Sequence, residues 1–434
     1  MRAGPMRRVT AMFAAFVLLA GSVTGCGSPD SDRKTLVYWA SNQGPSLDFD
    51  KATLQPQLDE FEQTHGIHVR LEVVPWSDLL DRLMAATKDD SGPDVVNIGN
   101  TWSASLQATG AFVPFDGRTL DRVGGRDRFV PNALAAAGAP GTPPSAVPLY
   151  SLSYALYYNK RMFAEAGIAT PPRTWDELVA DGKRLTKPAK GQWGLALEGG
   201  NPAENAHHAF TFGQQYRGQW FAADGSASFD TEANVAAIKR YVGLLADDHI
   251  VDPASAGYAK NESRADFANR KAAMLLWQAA GPSLQQAGMR PDEYGVAPMP
   301  FLADPIAGGG VRVNSMVAGI NMAVYKHTRD LDGALDFVEF MTSDKEQIIL
   351  NKAYGSLPSV RSAYSDAAFR TPEQEVLFQV LNSTAAPLPQ VPEESRFETL
   401  VGTAMAELFA DAAAGKPVTP ESIKAKLNAA EGKM

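Results

Sequence analysis

Indole rings and side-chain amides recur together just past short hydrophobic runs. Trp39 ends the run from Thr35 with Asn42 and Gln43 beyond it, Asn100 and Trp102 follow Pro93 to Ile98, and Trp277 with Gln278 closes Ala272 to Trp277. An amide both donates and accepts hydrogen bonds, and a flat ring covers an apolar C–H face. Such sets suit noncovalent recognition of a small hydroxylated molecule. Glu198, leaving the run Gly194 to Leu197, can accept from two hydroxyls, with Asn201 and Asn205 nearby. Arg312 and Asn314 follow Gly308 to Gly310, whose lack of side chains allows close backbone approach, and both residues can donate to hydroxyls. Second readings stand beside these. Trp39 fits a core as well as a cleft, Trp76 after Pro75 divides between wall and packing, and Glu198 fits a solvated loop. The cluster Trp193, Phe210, Phe212, Tyr216, Trp220 and Phe221 suits a core better than a further ring subsite.

Residues for bond-breaking chemistry do not assemble in the same way. The chain has no G-x-S-x-G elbow, no H-E-x-x-H and no phosphate-cradling G-x-x-x-x-G-K-[ST]. Gly308 to Gly310 lacks the third glycine of a dinucleotide fingerprint. Neither His65 and His68 nor His207 and His208 has the helical i, i+4 spacing of metal ligands, so solvated or capping roles fit better. A carboxylate pair for glycoside cleavage stays open, because its separation is spatial.

The elements that must position these residues alternate. Thr35 to Trp39 reads as a strand, Leu54, Leu58 and Phe61 follow helical spacing up to Gly66, and His68 to Val74 alternates again. This βαβ unit predicts parallel strands in an α/β sheet. Ser77 to Thr87 then reads as a helix, Pro93 to Ile98 as a buried strand and Thr101 to Ala108 as a helix. In open α/β sheets ligands lie beyond the carboxyl ends of the strands, where Asn42, Gln43, Asn100 and Trp102 fall. Thr174 to Glu177, Ser343 to Glu346 and Thr371 to Gln374 fit capping boxes. Trp193 to Leu197, Ala272 to Trp277 and Val317 to Tyr325 read as later strands, and Glu375 to Leu381 and Pro420 to Ala430 as closing helices.

Composition bounds the rest. The chain has 434 residues, 45% of them hydrophobic, with 40 basic against 49 acidic side chains. An anionic surface without a basic cluster argues against nucleic acid. Arg2, Arg7 and Arg8 precede the apolar run Ala11 to Ala20, which is too short to span a bilayer and predicts a signal peptide over 1–25. Residues 26–33 read as a tether, and the remaining length predicts two domains. Val23-Thr24-Gly25-Cys26, holding the only cysteine, resembles the lipobox of bacterial lipoproteins, which implies lipidation at Cys26.

Four segments together resemble the extracellular solute-binding proteins of bacterial ABC importers, the sugar-binding group typified by maltose-binding protein. They are Gly92 to Val96 with Trp102 and Val113 to Asp116; Val147 to Tyr150 with Leu156 to Lys160, Pro171-Pro172 and Thr174 to Leu178; Phe267 to Trp277 with Gly295 to Pro300; and Ala318 to Ile320 with Ala334 to Met341. The resemblance implies an α/β fold of two lobes joined by crossing strands, 34–146 plus 295–326 and 147–294 plus 327–434, with the ligand cleft between them. It implies a carbohydrate ligand, a di- or short oligosaccharide, delivered to ABC permease subunits served by a cytoplasmic ATPase. It also implies a lipid-anchored monomer without enzymatic activity, cofactor or metal, on the outer face of the cell membrane. Tyr150 and Tyr154 would lie at the interlobe crossing and face the cleft, and Arg396 would reach it from the C-terminal helices. Relatives also take glycerophosphodiesters. Such a ligand would want two or more cations in the cleft, for which only Arg312 and Arg396 qualify, and this favours a neutral sugar.

Overall fold

Leu36, Tyr38 and Ala40 point one way along β1 (Thr35–Ser41) and are buried, as strand alternation requires. The chain turns through the helix Leu47–His65, which buries Leu54, Leu58 and Phe61, and returns as β2 (His68–Val74), parallel to β1. The predicted βαβ unit therefore forms, and β3 (Val95–Gly99) adds on the other side of β1, also parallel. The computed structural model describes residues 34–44, 46–89, 91–303 and 311–434. The leader, the tether, Cys26 and Gly308 to Gly310 lie outside them.

Two long strands tie the molecule together. β4 (Val147–Asn159) is followed by β5 (Trp193–Ala196), β6 (Ala272–Gln278), β7 (Tyr294–Pro298) and β8 (Ser315–Val324). The first half of β4 pairs antiparallel with β8, and its second half pairs with β6 and β7. Two short strands, β9 (Leu357–Pro358) and β10 (Ala385–Ala386), pair with β4 and β8. The main order is β2-β1-β3-β8-β4-β6-β5, so β8 and β4 cross between a β1–β3 lobe and a β5–β7 lobe. Gly319 sits at this crossing with φ 156°, and a Cβ there would lie 2.4 Å from the Tyr150 carbonyl oxygen. Only glycine lets the two strands pass so closely.

Each lobe has its own core. Leu36, Tyr38, Phe61, Val147 and Ile320 pack in one cluster; Leu156, Trp175, Phe212, Ile238 and Met405 pack in another. The packing differs from the expected boundaries in two places. Leu335, Phe337, Val338 and Leu350 join the first cluster, so the helices Leu331–Met341 and Asp344–Tyr354 cover lobe one and not lobe two. β7 lies against the second half of β4 and so belongs to lobe two, not lobe one. Helix starts follow their caps: Thr174 and Glu177 make a complete capping box, while Ser343 and Thr371 each accept from the backbone three residues on. The expected aromatic core of lobe two forms around Phe212 and Trp220, both fully buried. Among the described residues no helix is long and apolar enough to cross a membrane.

Candidate functional site

The loop after β1 is shaped by one buried carboxylate. Asp50 accepts from the Asn42 amide and from the backbone N–H groups of Gln43 (3.2 Å) and Gly44 (2.9 Å). This fixes the loop at the carboxyl edge of the sheet. The loop after β3 is held similarly: Asn100 Nδ2 donates to the Val317 carbonyl on the crossing strand at 2.6 Å. Trp102 packs under Trp76, their ring centroids 4.4 Å apart and nearly parallel at 22°. Gly99 makes room for this pair, since a Cβ there would meet Trp76 at 2.9 Å and Trp102 at 3.1 Å. Trp102 is 6% exposed, whereas Trp76 is 40% exposed and presents its ring to the space between the lobes.

That space is a cleft with two adjoining chambers of about 730 and 690 Å³. Gln43, Leu152, Lys260, Asn261, Arg264, Trp277 and Gln278 line both. The larger chamber adds Asn42, Trp76, Asn100, Trp102, Glu204, His207 and Glu398; the smaller adds Phe49, Tyr150, Pro282 and Tyr354. A cavity between domains, part apolar and part polar, is where a small ligand is best excluded from water. A separate groove near Tyr216 and Arg240 lies away from these residues.

Lobe two supplies a buried polar floor. His207 Nε2 lies 2.8 Å from Glu398 Oε1, and Tyr154 donates to Glu204 at 2.7 Å while its oxygen sits 2.8 Å from His207 Nδ1. Glu398 also accepts from Thr101 of lobe one at 3.3 Å, so the network bridges the cleft. Burial pulls the His207 imidazole down, but the Glu398 hydrogen bond and the charges of Glu398 and Glu204 outweigh it and raise its pKa. Neighbouring His208, buried and beside His207, is pushed down to about 3. The buried Gln278 carbonyl oxygen has no protein partner and stands ready to accept.

The structure brings Asn42, Gln43, Asn100, Trp102, Tyr150 and Trp277 to the cleft and sends the other expected residues elsewhere. Trp39 packs beneath Arg82, whose guanidinium carbon is 4.1 Å from the ring centroid, and lines neither chamber. It points from within a strand, not from the loop beyond one. Tyr154 lies behind His207, buried in the lobe-two core. Glu198 accepts from Ser263 N (2.9 Å) and Oγ (2.6 Å), and burial raises its pKa against those bonds; it pins the helix Glu262–Ala268 instead of facing ligand. Asn314 is fully buried between the Met299 carbonyl (2.7 Å) and the Thr384 hydroxyl (2.6 Å). Arg312 lies over Phe301, and Arg396 donates to the Lys433 carbonyl on the surface. Neither reaches the cleft.

Arg264, Lys260, Glu204 and Glu398 are not among the residues the sequence singles out, and His207, expected to be solvated or capping, is instead buried between Tyr154 and Glu398. Their burial and facing are set by packing that no local pattern reports: Lys260 lies in a loop, Arg264 on the helix Glu262–Ala268, Glu204 and His207 on the helix Pro202–Gln215 and Glu398 on the helix Glu394–Ala413. Trp277 is itself 7% exposed, and Arg264 lies over its ring, 5.1 Å from the centroid, so Trp76 is the open stacking face.

Residues 44–348 match the family model of the bacterial extracellular solute-binding proteins. The chain belongs to that family. A binding protein of Brucella abortus is 28% identical over 269 residues, 62% of each chain, so the match spans under two thirds of that relative's length. The diacetylchitobiose binding protein DasA of Streptomyces coelicolor is 25% identical over 363 residues, 80% of each chain. The GacH receptor of Streptomyces glaucescens, solved unliganded and with acarbose, superimposes with a TM-score of 0.75 at 25% identity, covering 92% of this chain and 98% of that one. The two-lobed architecture of these solute-binding proteins is the one described above.

Proposed function

We propose that the protein captures a carbohydrate, a di- or short oligosaccharide, in the interlobe cleft and delivers it to an ABC permease with its cytoplasmic ATPase. The observation that carries this reading is the exposed Trp76 ring, backed by Trp102 and opposed across the larger chamber by the Glu204, His207 and Glu398 groups. An aromatic face against C–H groups with polar side chains around the rim matches a sugar ring. The two chambers offer room for more than one ring. DasA and GacH support the same class by what they bind. In this reading the chain acts as a monomer, needs no cofactor, turns over nothing, and is held at the outer face of the membrane by a lipid on Cys26.

A thermal-shift screen of the purified protein against mono-, di- and oligosaccharides and glycerophosphodiesters tests it. A concentration-dependent rise in melting temperature with a saccharide is expected, since a ligand that binds only the folded state stabilises it. A rise with glycerophosphodiesters alone, or turnover of a bound saccharide, would contradict it. Mass spectrometry for diacylglycerol on Cys26 tests the anchor.

A further inference from the structure

Several arginines pair with acids, and of the four described ones that are not exposed, Arg82, Arg128, Arg240 and Arg264, only Arg264 has neither a carboxylate nor a carbonyl partner. Arg82 meets Glu72, Arg122 meets Asp332 and Asp336, Arg240 meets Asp176 and Asp248, and Arg270 meets Glu293. Half-buried Arg128 has no acid but donates to the carbonyls of Val123 and Thr342. Arg264 has neither arrangement. Its one protein hydrogen bond is from Nη1 to Ser283 Oγ at 3.2 Å, no carboxylate stands within ion-pair distance among the described residues, and it lines both chambers. Burial lowers its pKa, and the charges of Glu198 and Glu204, which stand beyond ion-pair distance, offset this only in part.

The acids closest in influence are Glu198 and Glu204. Glu198 Oε1 accepts from Ser263 while its Oε2 is buried without a hydrogen-bond partner, Glu204 accepts from the Tyr154 hydroxyl, and neither comes within ion-pair distance of Arg264. Glu398, also in the cleft, is bonded to His207 and Thr101. None of these three carboxylates pairs with Arg264. Trp277 seats the guanidinium from below, Glu198 fixes the start of the short helix that carries it, and Lys260 adds a second positive charge at the rim. The unpartnered Gln278 oxygen beside them calls for a hydroxyl donor.

We propose that the ligand is an acidic saccharide, whose carboxylate or phosphate completes the ion pair that Arg264 lacks while its hydroxyls meet Gln278. This rests on the carbohydrate reading above and narrows it. A planar guanidinium suits either anion, because both present two oxygens to its fork.

Calorimetric titration of the purified protein with matched pairs tests this: galactose against galacturonate, α-1,4-galactobiose against digalacturonate, and glucose against glucose 1-phosphate. The charged member of at least one pair should bind about tenfold more tightly or better at low salt, with the gap narrowing as salt is added. Which pair responds tells a carboxylate from a phosphate. In Arg264→Gln the gap should close, while Arg264→Lys should keep part of it. If neutral members bind as well as charged ones, the inference falls and the carbohydrate function stands. If no member binds while a neutral saccharide of the thermal-shift panel does, the inference falls alone; if no saccharide of either set binds, both fall. A charge preference that survives in Arg264→Gln also overturns the assignment. Should Arg264→Gln fail to fold, the wild-type contrast and its salt dependence decide alone.

Discussion

Trp39 and Trp277 each sit near the end of a strand, and each lies under an arginine, at 4.1 Å for Arg82 and 5.1 Å for Arg264. The local motif is the same and the setting is opposite. Arg82 is neutralised by Glu72 at 2.6 Å on the flank of lobe one, outside both chambers, while Arg264 has no acid partner and forms part of the cleft wall. The contrast teaches that a tryptophan–arginine stack marks a binding wall only where the charge is left unbalanced. A balanced stack is packing.

Trp277→Ala should break the contrast most severely. Removing a buried tryptophan costs about 3–5 kcal/mol, and here it also takes away the seat of Arg264. Both melting temperature and ligand affinity should fall, the latter by about tenfold or more in calorimetry. Trp39→Ala should lower the melting temperature less and leave affinity unchanged.

Glu198→Ala should come next. It removes the acceptor of two hydrogen bonds from Ser263, each contributing about 1.5–3 kcal/mol for a charged acceptor, and loosens the helix that carries Arg264. A several-fold loss of affinity with a lower melting temperature is expected. Affinity that stays intact would mean that Arg264 needs no such support.

Glu346 sharpens the comparison from another side, as a buried carboxyl outside the cleft. Burial pushes its carboxyl up to about 7, with Lys345 opposing and Glu60 adding to the rise. The folded state therefore holds a proton that the unfolded state releases near its ordinary pKa. Its contribution to stability is complete below about pH 4.5 and is lost as pH rises toward 7. Melting curves of Glu346→Gln from pH 4 to 8 should show less decline across that window than wild type, with ligand affinity unaffected.

The smallest effects belong to Arg312→Ala and Arg396→Ala. Arg312 stacks on Phe301 and Arg396 bonds to Lys433, so titrations of either variant should match wild type. A weakened affinity in either would extend the binding surface beyond the cleft described.

What the sequence made legible follows from how local each signal is. The βαβ start was readable because alternation in Thr35–Ser41 and His68–Val74 and the helical spacing of Leu54, Leu58 and Phe61 are each set within one element. Thr174 announced its helix through a cap three residues long. Positions just past strand ends, such as Gln43 and Trp102, could be placed at the cleft because sheet geometry puts such loops on one edge. The fate of Trp39 turned on which face of β1 meets Arg82, which neighbouring residues do not reveal. Glu398 comes from a helix far along the chain from Thr101, and Arg264, though its helix directly precedes the strand of Trp277, meets that ring only through the turn between them, so packing and not local pattern joins each pair. The boundary of the lobes failed for the same reason, since Phe337 meets Tyr38 across the chain.

The central claim is that ligand stacks on Trp76 between the lobes. Calorimetric titration of Trp76→Ala beside Trp39→Ala, with the saccharide that raises the melting temperature most, tests it directly. The account predicts an affinity loss of about tenfold or more for Trp76→Ala, whose ring is exposed and contributes little to folding, and none for Trp39→Ala. Unchanged affinity in Trp76→Ala, or an equal loss in both, would contradict it.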